Sequence, residues 1–177
     1  HGKHADIAII TDSGSDIPDE LIDKYNIHVV PVRYNFGEKG YIDKVSQTSK
    51  EFYLELKTNT NHPQTSQPPP GDFRRQYQFL SSHYNSIISI HLPKILSGTY
   101  QSAENALNKI SGNKKISIID SLSISGGMGL IVIYAAEAAE KGYFHDEIES
   151  LISEIIPKTN VYASVYDLSY SVMLIIK

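Results

Sequence analysis

Apolar, β-branched runs alternate along this chain with segments whose apolar residues recur every three or four positions. The clearest pair is central. Ser86-Ile87-Ile88-Ser89-Ile90 has the character of a buried strand, and Tyr100, Ala103, Leu107 and Ile110 share one helical face. Between them Leu92-Pro93-Lys94-Ile95-Leu96-Ser97-Gly98-Thr99 must turn strand into helix. The same order recurs on either side. Residues 5–10 form an apolar run that enters the turn-forming cluster Thr11-Asp12-Ser13-Gly14-Ser15-Asp16, and Leu21, Ile22 and Tyr25 then follow helical spacing, with Asp16 as the expected cap and Pro18 in the first turn. A second strand is expected over 27–32, where Pro31 removes a ladder donor and so predicts an edge or a bulge. Lys115-Ile116-Ser117-Ile118-Ile119 is another strand, leading through Asp120-Ser121 to a long helix from Ser123 to about Lys141 that Gly142 stops. Asp146 is the expected cap of one more helix, striped with Ile148, Leu151, Ile152, Ile155 and Ile156 and ended by Pro157, before a last strand at 161–166. Strands and helices alternating across short loops require crossover connections. The expected fold class is α/β, a mainly parallel sheet with helices on both faces.

The remaining third is less regular. Residues 35–43, with Gly37 and Gly40, are expected to be a turn; Ser49 begins a helix with Phe52, Tyr53 and Leu56 on one side; and Gln64-Thr65-Ser66-Gln67-Pro68-Pro69-Pro70-Gly71-Asp72 is expected to stay irregular. The helix after it places Phe73, Tyr77 and Leu80 on one face. With 177 residues the chain is long enough for one domain with a sizeable core. A formal net charge of -4 and the lack of any Lys/Arg block argue against nucleic acid or an anionic membrane as the main partner. The longest uncharged stretch, 121–136, is broken by Ser and Gly and is shorter than the roughly 18 to 20 apolar residues of a spanning helix, so stable membrane insertion is not expected. The chain has no Cys, which is compatible with a reducing compartment, and the cytoplasm is the expected location. His1-Gly2-Lys3-His4 has the look of an expression scar or a trace of processing.

In parallel α/β sheets ligands bind beyond the carboxyl ends of the strands. Three loops of one chemical type are expected there: Asp12-Ser13-Gly14-Ser15, Ile95-Leu96-Ser97-Gly98-Thr99, and Asp120-Ser121 through Ser125-Gly126, with Thr65-Ser66 able to join them. Hydroxyls and glycine N–H groups dominate. Ser97 is expected at or near a helix N-cap, where unpaired N–H groups and the positive end of the helix dipole favour an anion. Such a rim suits holding an anion better than breaking a bond. A metal-dependent Asp-x-Asp site would need a second carboxylate where Gly14 stands, and no Gly-x-Ser-x-Gly elbow occurs. His91 is expected to be structural or solvent-facing, and His28, His62, His83 and His145 lack metal-ligand spacing, so neither a catalytic residue nor a metal site is assigned. A hydrolase or phosphoryl-transfer enzyme working at the same rim is the alternative.

Taken together, the loops carry a resemblance. Thr11-Asp12-Ser13 with Asp16, Val30-Pro31, Thr65-Ser66-Gln67-Pro68, Leu96-Ser97-Gly98-Thr99-Tyr100-Gln101-Ser102-Ala103, Asp120-Ser121 and the Ser125/Gly127/Gly129 run occur in the order found in the DegV family, which this chain resembles from residue 5 to about 170. The resemblance implies a bacterial fatty-acid-binding protein that is a carrier and not an enzyme, like the acyl-carrying subunits of fatty acid kinase, which present their lipid to a separate kinase subunit. It implies a long-chain, palmitate-like fatty acid as ligand and no cofactor. It assigns the carboxylate to Thr65 and Ser97, with Ser13, Ser66, Gly98 and Thr99 in supporting positions. The end of the chain departs from the pattern. Where family members continue through Leu-x-Tyr-Leu-x-x-Gly-Gly-Arg into a second lobe, Asp167-Leu168-Ser169-Tyr170 is followed by residues 171–177 of a different kind. The expectation is therefore an N-terminal lobe with the C-terminal lobe absent. The short apolar run 172–176 is expected to promote self-association if left uncovered.

Overall fold

A computed structural model describes residues 7–161. The expected strand at 161–166, apart from Val161, the tail 171–177 and the first four residues lie outside the described residues. In chain order the elements are β1 (Ile7–Asp12), α1 (Asp19–Tyr25), β2 (His28–Val30), β3 (Arg33–Phe36), β4 (Lys39–Ile42), α2 (Ser49–Thr58), β5 (Pro63–Ser66), α3 (Pro70–His83), β6 (Ser86–His91), α4 (Thr99–Leu107), β7 (Lys115–Asp120), α5 (Ser125–Glu140) and α6 (His145–Ile155). Four of the strands form a parallel sheet in the order β2-β1-β6-β7, with Ile7 opposite Ser86 and His91 opposite Asp120. Pro31 follows an edge strand, where the missing donor costs nothing.

Alternation along the strands divides the core into two layers. Ile7, Ile9, Ile88 and Ile90 face Ile131, Val132 and Ala135 of α5 and Ile148 and Ile152 of α6. Ala8, Ile10 and Ile87 face the opposite way, onto Phe73, Tyr77 and Leu80 of α3 and Ala103 and Ala106 of α4. Each fully buried large side chain contributes about 1.5–3 kcal/mol. The α/β architecture with helices on both faces is thus formed, and α5 and α6 pack side by side on one face of the sheet, with Leu130 and Tyr134 of α5 exposed. Gly129 lets α5 approach the turn after β1, since a Cβ there would lie 2.6 Å from the Ser15 carbonyl oxygen. Gly142, at φ +86, closes the helix as its N–H donates to the Ala139 carbonyl and the Tyr143 N–H donates to that of Ala138.

Several local expectations are corrected. Residues 35–43 and 64–66 are not simply turn and loop, because β3, β4 and β5 build a second, antiparallel sheet in the order β4-β3-β5. Its core is aromatic: Tyr34 stacks on Tyr41 at 5.1 Å between centroids, with Phe36, Phe52 and Leu56 around them. Tyr53 is exposed and meets only the rim of this cluster, its ring 5.7 Å from that of Phe52. Asp16 does not cap α1, which starts after Pro18; it adopts φ 49, accepts a hydrogen bond from Ser125 Oγ at 2.9 Å and pairs with Lys44 at 3.0 Å. Asp146 lies inside the first turn of α6 and pairs with Lys115, while the Glu147 carboxylate accepts the Phe144 N–H at 2.7 Å. Helix α4 ends at Leu107, although Ile110 still packs on the same core layer.

Candidate functional site

The loop after β6 crosses the end of the sheet and supplies Ser97. Ser97 precedes the N-cap, Gly98, by one residue, so it does not cap α4 in the usual sense. Its Oγ accepts the Thr99 N–H at 3.2 Å and lies 2.8 Å from Thr99 Oγ1. Ser97 is half-buried and opens onto a cleft of about 280 Å³ lined by Lys94, Ile95, Gly98, Tyr100 and Gln101. The ammonium of Lys94 stands 4.0 Å from the centre of the Tyr100 ring, and N–H groups in the first turn of α4 have no partner within the helix. Positive potential and neutral donors therefore meet at one end of this cleft.

Thr65 comes from β5, opposite Tyr34, and Ser66 lies opposite Arg33. Thr65 is exposed, and no hydrogen bond to another described residue occupies its hydroxyl. The two loops meet through Gln67 and Gly98: a Cβ on Gly98 would lie 2.9 Å from Gln67 Cδ, so only a bare α-carbon admits that side chain. Arg33, on the neighbouring β3, ties that strand to α3 by pairing with Asp72 at 2.6 Å. Ser13 is buried and its Oγ accepts the Val32 N–H at 3.0 Å, which places it as a brace between the turn after β1 and the connection from β2 to β3. Four apolar side chains stand exposed around this end of the sheet, namely Ile95, Leu96, Leu122 and Ile124. Ile95 is 87% exposed, far more than a folded core requires.

A buried polar line beneath the rim was not foreseen. Tyr77 Oη lies 2.7 Å from Ser89 Oγ, Ser89 Oγ is hydrogen-bonded to His91 Nε2, and His91 Nδ1 is 3.0 Å from Asp12 Oδ2. All four residues are fully buried. A neutral His91 satisfies every member, with Tyr77 donating to Ser89, Ser89 to Nε2, and the Nδ1 proton to the carboxylate. Aspartate, histidine and serine are connected here as in a hydrolytic triad. Their burial keeps any ester away from Ser89, whose other side is closed by Tyr77. The sequence did hold a signal: Ser89 and His91 are two residues apart in an apolar strand and so share one face.

The DegV family model, described as that of an uncharacterised protein family, matches residues 6–172. The chain belongs to the DegV family. It is 40% identical over 152 residues to a DegV domain-containing protein of Caldanaerobacter subterraneus subsp. tengcongensis, covering 86% of this chain and 54% of that protein. It is 43% identical over 121 residues to a DegV domain-containing 15.5 kDa protein of Staphylococcus aureus, covering 68% of this chain and 84% of that one. Among solved structures it matches DegV of Bacillus subtilis, a fatty acid binding protein, with a TM-score of 0.80 and 32% identity, and a fatty-acid-binding DegV family protein of Thermus thermophilus with 0.79 and 31%. Both matches cover 86% of this chain and 54% of the other. This DegV chain thus spans about half the length of those two structures and of the Caldanaerobacter relative. No helix among its described residues is long and apolar enough to cross a membrane, and no cluster of three or more His, Asp or Glu there is placed to hold a metal ion.

Proposed function

We propose that this DegV chain holds a long-chain, palmitate-like fatty acid by its carboxylate, with Thr65 Oγ1 and Ser97 Oγ as donors, and presents it to a separate kinase subunit in the cytoplasm. The observation that carries this reading is the packing of Gln67 on Gly98, which draws the Thr65 strand to the Ser97 cleft. The fatty-acid binding of the Bacillus and Thermus relatives supports it. Thr99 and Gly98 shape the head-group end, Ser66 continues the donor strand, and Ser13 braces the floor. Hydrogen bonds to a charged group contribute about 1.5–3 kcal/mol each. The acyl chain contributes more: about fourteen methylenes at ~0.8 kcal/mol each is on the order of 11 kcal/mol, before the ~4 or more lost on association. Affinity therefore comes chiefly from the chain and orientation from the head group. Ile95, Leu96, Leu122 and Ile124 offer the apolar contact.

The test compares palmitate with its methyl ester in titrations of the purified chain. The acid is expected to bind more tightly than the ester, and Thr65→Val and Ser97→Ala are each expected to weaken acid binding by about 10- to 100-fold while leaving the ester unchanged. Equal binding of acid and ester by the unaltered chain would remove the carboxylate grip from the reading.

A further inference from the structure

The loop that supplies Ser97 is held in place by two carboxylates that bond backbone N–H groups on either side of Pro93. Asp12 ends β1 and Asp120 ends β7, the two strands that flank β6. Asp12 Oδ2 accepts the Leu92 N–H at 3.1 Å, and Asp120 Oδ2 accepts the Lys94 N–H at 3.2 Å. Pro93, between them, has no N–H. Both backbone donors in the first three residues after β6 are therefore taken by carboxylates, one from each neighbouring strand. The second oxygen of each carboxylate steadies its own loop: Asp12 Oδ1 accepts the Gly14 N–H at 2.9 Å, and Asp120 Oδ1 accepts the Leu122 N–H at 3.0 Å. The Pro93 carbonyl in turn accepts the N–H groups of Leu96 and Ser97, each at 3.0 Å. A continuous bonded path thus runs from the two aspartates through Pro93 to the Ser97 backbone.

We propose that Asp12 and Asp120 are positioning residues of the head-group site, a clamp that fixes where the Ser97 hydroxyl stands. The clamp rests on the fatty-acid reading for its ligand readout, and on the loop alone for its structural one. It also explains why both carboxylates face inward across backbone N–H groups at an end of the sheet proposed to hold an anion: bonded in this way they act as acceptors for the loop. Asp12 has His91 as a further donor, which completes the satisfaction of a fully buried group. Asp120 is only half-buried, so water can replace it on the two N–H groups and its loss leaves the fold largely intact.

Asp120→Ala and Asp12→Asn in the full chain test the clamp, with Ile88→Val as a core change that weakens the fold without touching the loop. Two readouts are taken: amide hydrogen exchange at Leu92, Lys94 and Ser97, and the dissociation constants of palmitate and its methyl ester. For Asp120→Ala we expect faster exchange at Lys94 and Ser97, a loss of acid affinity of about tenfold and no change for the ester. Asp12→Asn does the same at Leu92 and Ser97, with a larger loss. Ile88→Val leaves the acid-to-ester ratio unchanged. Unaltered Ser97 exchange in both aspartate variants, or acid and ester affinities that fall together, overturns the clamp. If the unaltered chain binds neither lipid, the fatty-acid reading fails while exchange at Lys94 and Ser97 still decides whether the aspartates hold the loop.

Discussion

Leu122 is an exposed leucine, φ 50, held in the left-handed region of backbone space. Such a conformation costs a branched side chain on the order of 1–2 kcal/mol, and asparagine tolerates it better. A fold selected for stability alone would not keep leucine there, whereas a surface receiving an acyl chain would. Leu122→Asn is accordingly predicted to leave stability unchanged or raise it by up to about 1 kcal/mol in denaturant melts, and to weaken fatty-acid binding. Two histidines give a separate prediction. Burial pushes the imidazoles of His28 and His145 below their ordinary value of 6.5; at His145 Lys115 adds to the lowering and Glu149 and Asp146 oppose it. The unfolded chain then takes up protons at a higher pH than the folded one. The stability linked to these rings is present in full above about pH 6.5 and is lost as the pH falls through the window down to their lowered folded values. Thermal midpoints should drop below pH 6.5, and His145→Gln should flatten that decline. A slope unchanged by the substitution would assign the effect elsewhere.

Close approaches between elements give predictions of opposite kinds. A methyl group at Gly129 meets the Ser15 carbonyl oxygen, part of a backbone wedged between α5 and β1, so Gly129→Ala is predicted to cost about 1–3 kcal/mol. A methyl group at Gly98 meets only the amide end of the exposed Gln67 side chain, which can swing away. Gly98→Ala should therefore stay within about 0.5 kcal/mol of the unaltered stability while separating the Thr65 strand from the Ser97 cleft and weakening acid binding. Chemical melts and lipid titrations of the pair distinguish the two cases. The same elements show what can be read from the chain without its structure. Buried strands such as β1 and β6 announce themselves because both faces are covered and apolar residues run without interruption. Strand β5, Pro63-Gln64-Thr65-Ser66, has no such pattern: its partner is the backbone of β3 and its side chains meet solvent, so only pairing makes it a strand. Asp16 and Asp146 have the chemistry of caps, yet neighbouring residues hold the helix ends. Ser97 misses the cap by one residue because its loop is registered by Asp12 and Asp120, a constraint from two other strands that no local pattern records.

Across the molecule, residues of three loops and one edge strand converge at the carboxyl end of a parallel sheet, as such sheets lead one to expect. Their order along the chain made the DegV resemblance visible, and the family match over 6–172 bears it out. Of the buried line from Tyr77 to Asp12 only the Ser89–His91 step, two residues apart on one strand face, lies within local reach; Tyr77 is 12 residues from Ser89 and Asp12 is 79 from His91, so those steps form only when α3 packs on the sheet and β1 pairs with β6. Hydroxyl groups at the Ser97 cleft, a lysine beside it and exposed leucine and isoleucine side chains around it form an amphipathic surface, and the fatty-acid proposal rests on it. The measurement that bears most heavily on this is denaturing mass spectrometry of an organic extract from the purified chain, after exposure to a mixture of long-chain fatty acids and removal of the excess. A near-stoichiometric acid is predicted for the unaltered chain, strongly reduced in Thr65→Val and Ser97→Ala variants that remain folded by circular dichroism. Retention of no acid by the unaltered chain, or equal retention by all three, would contradict it.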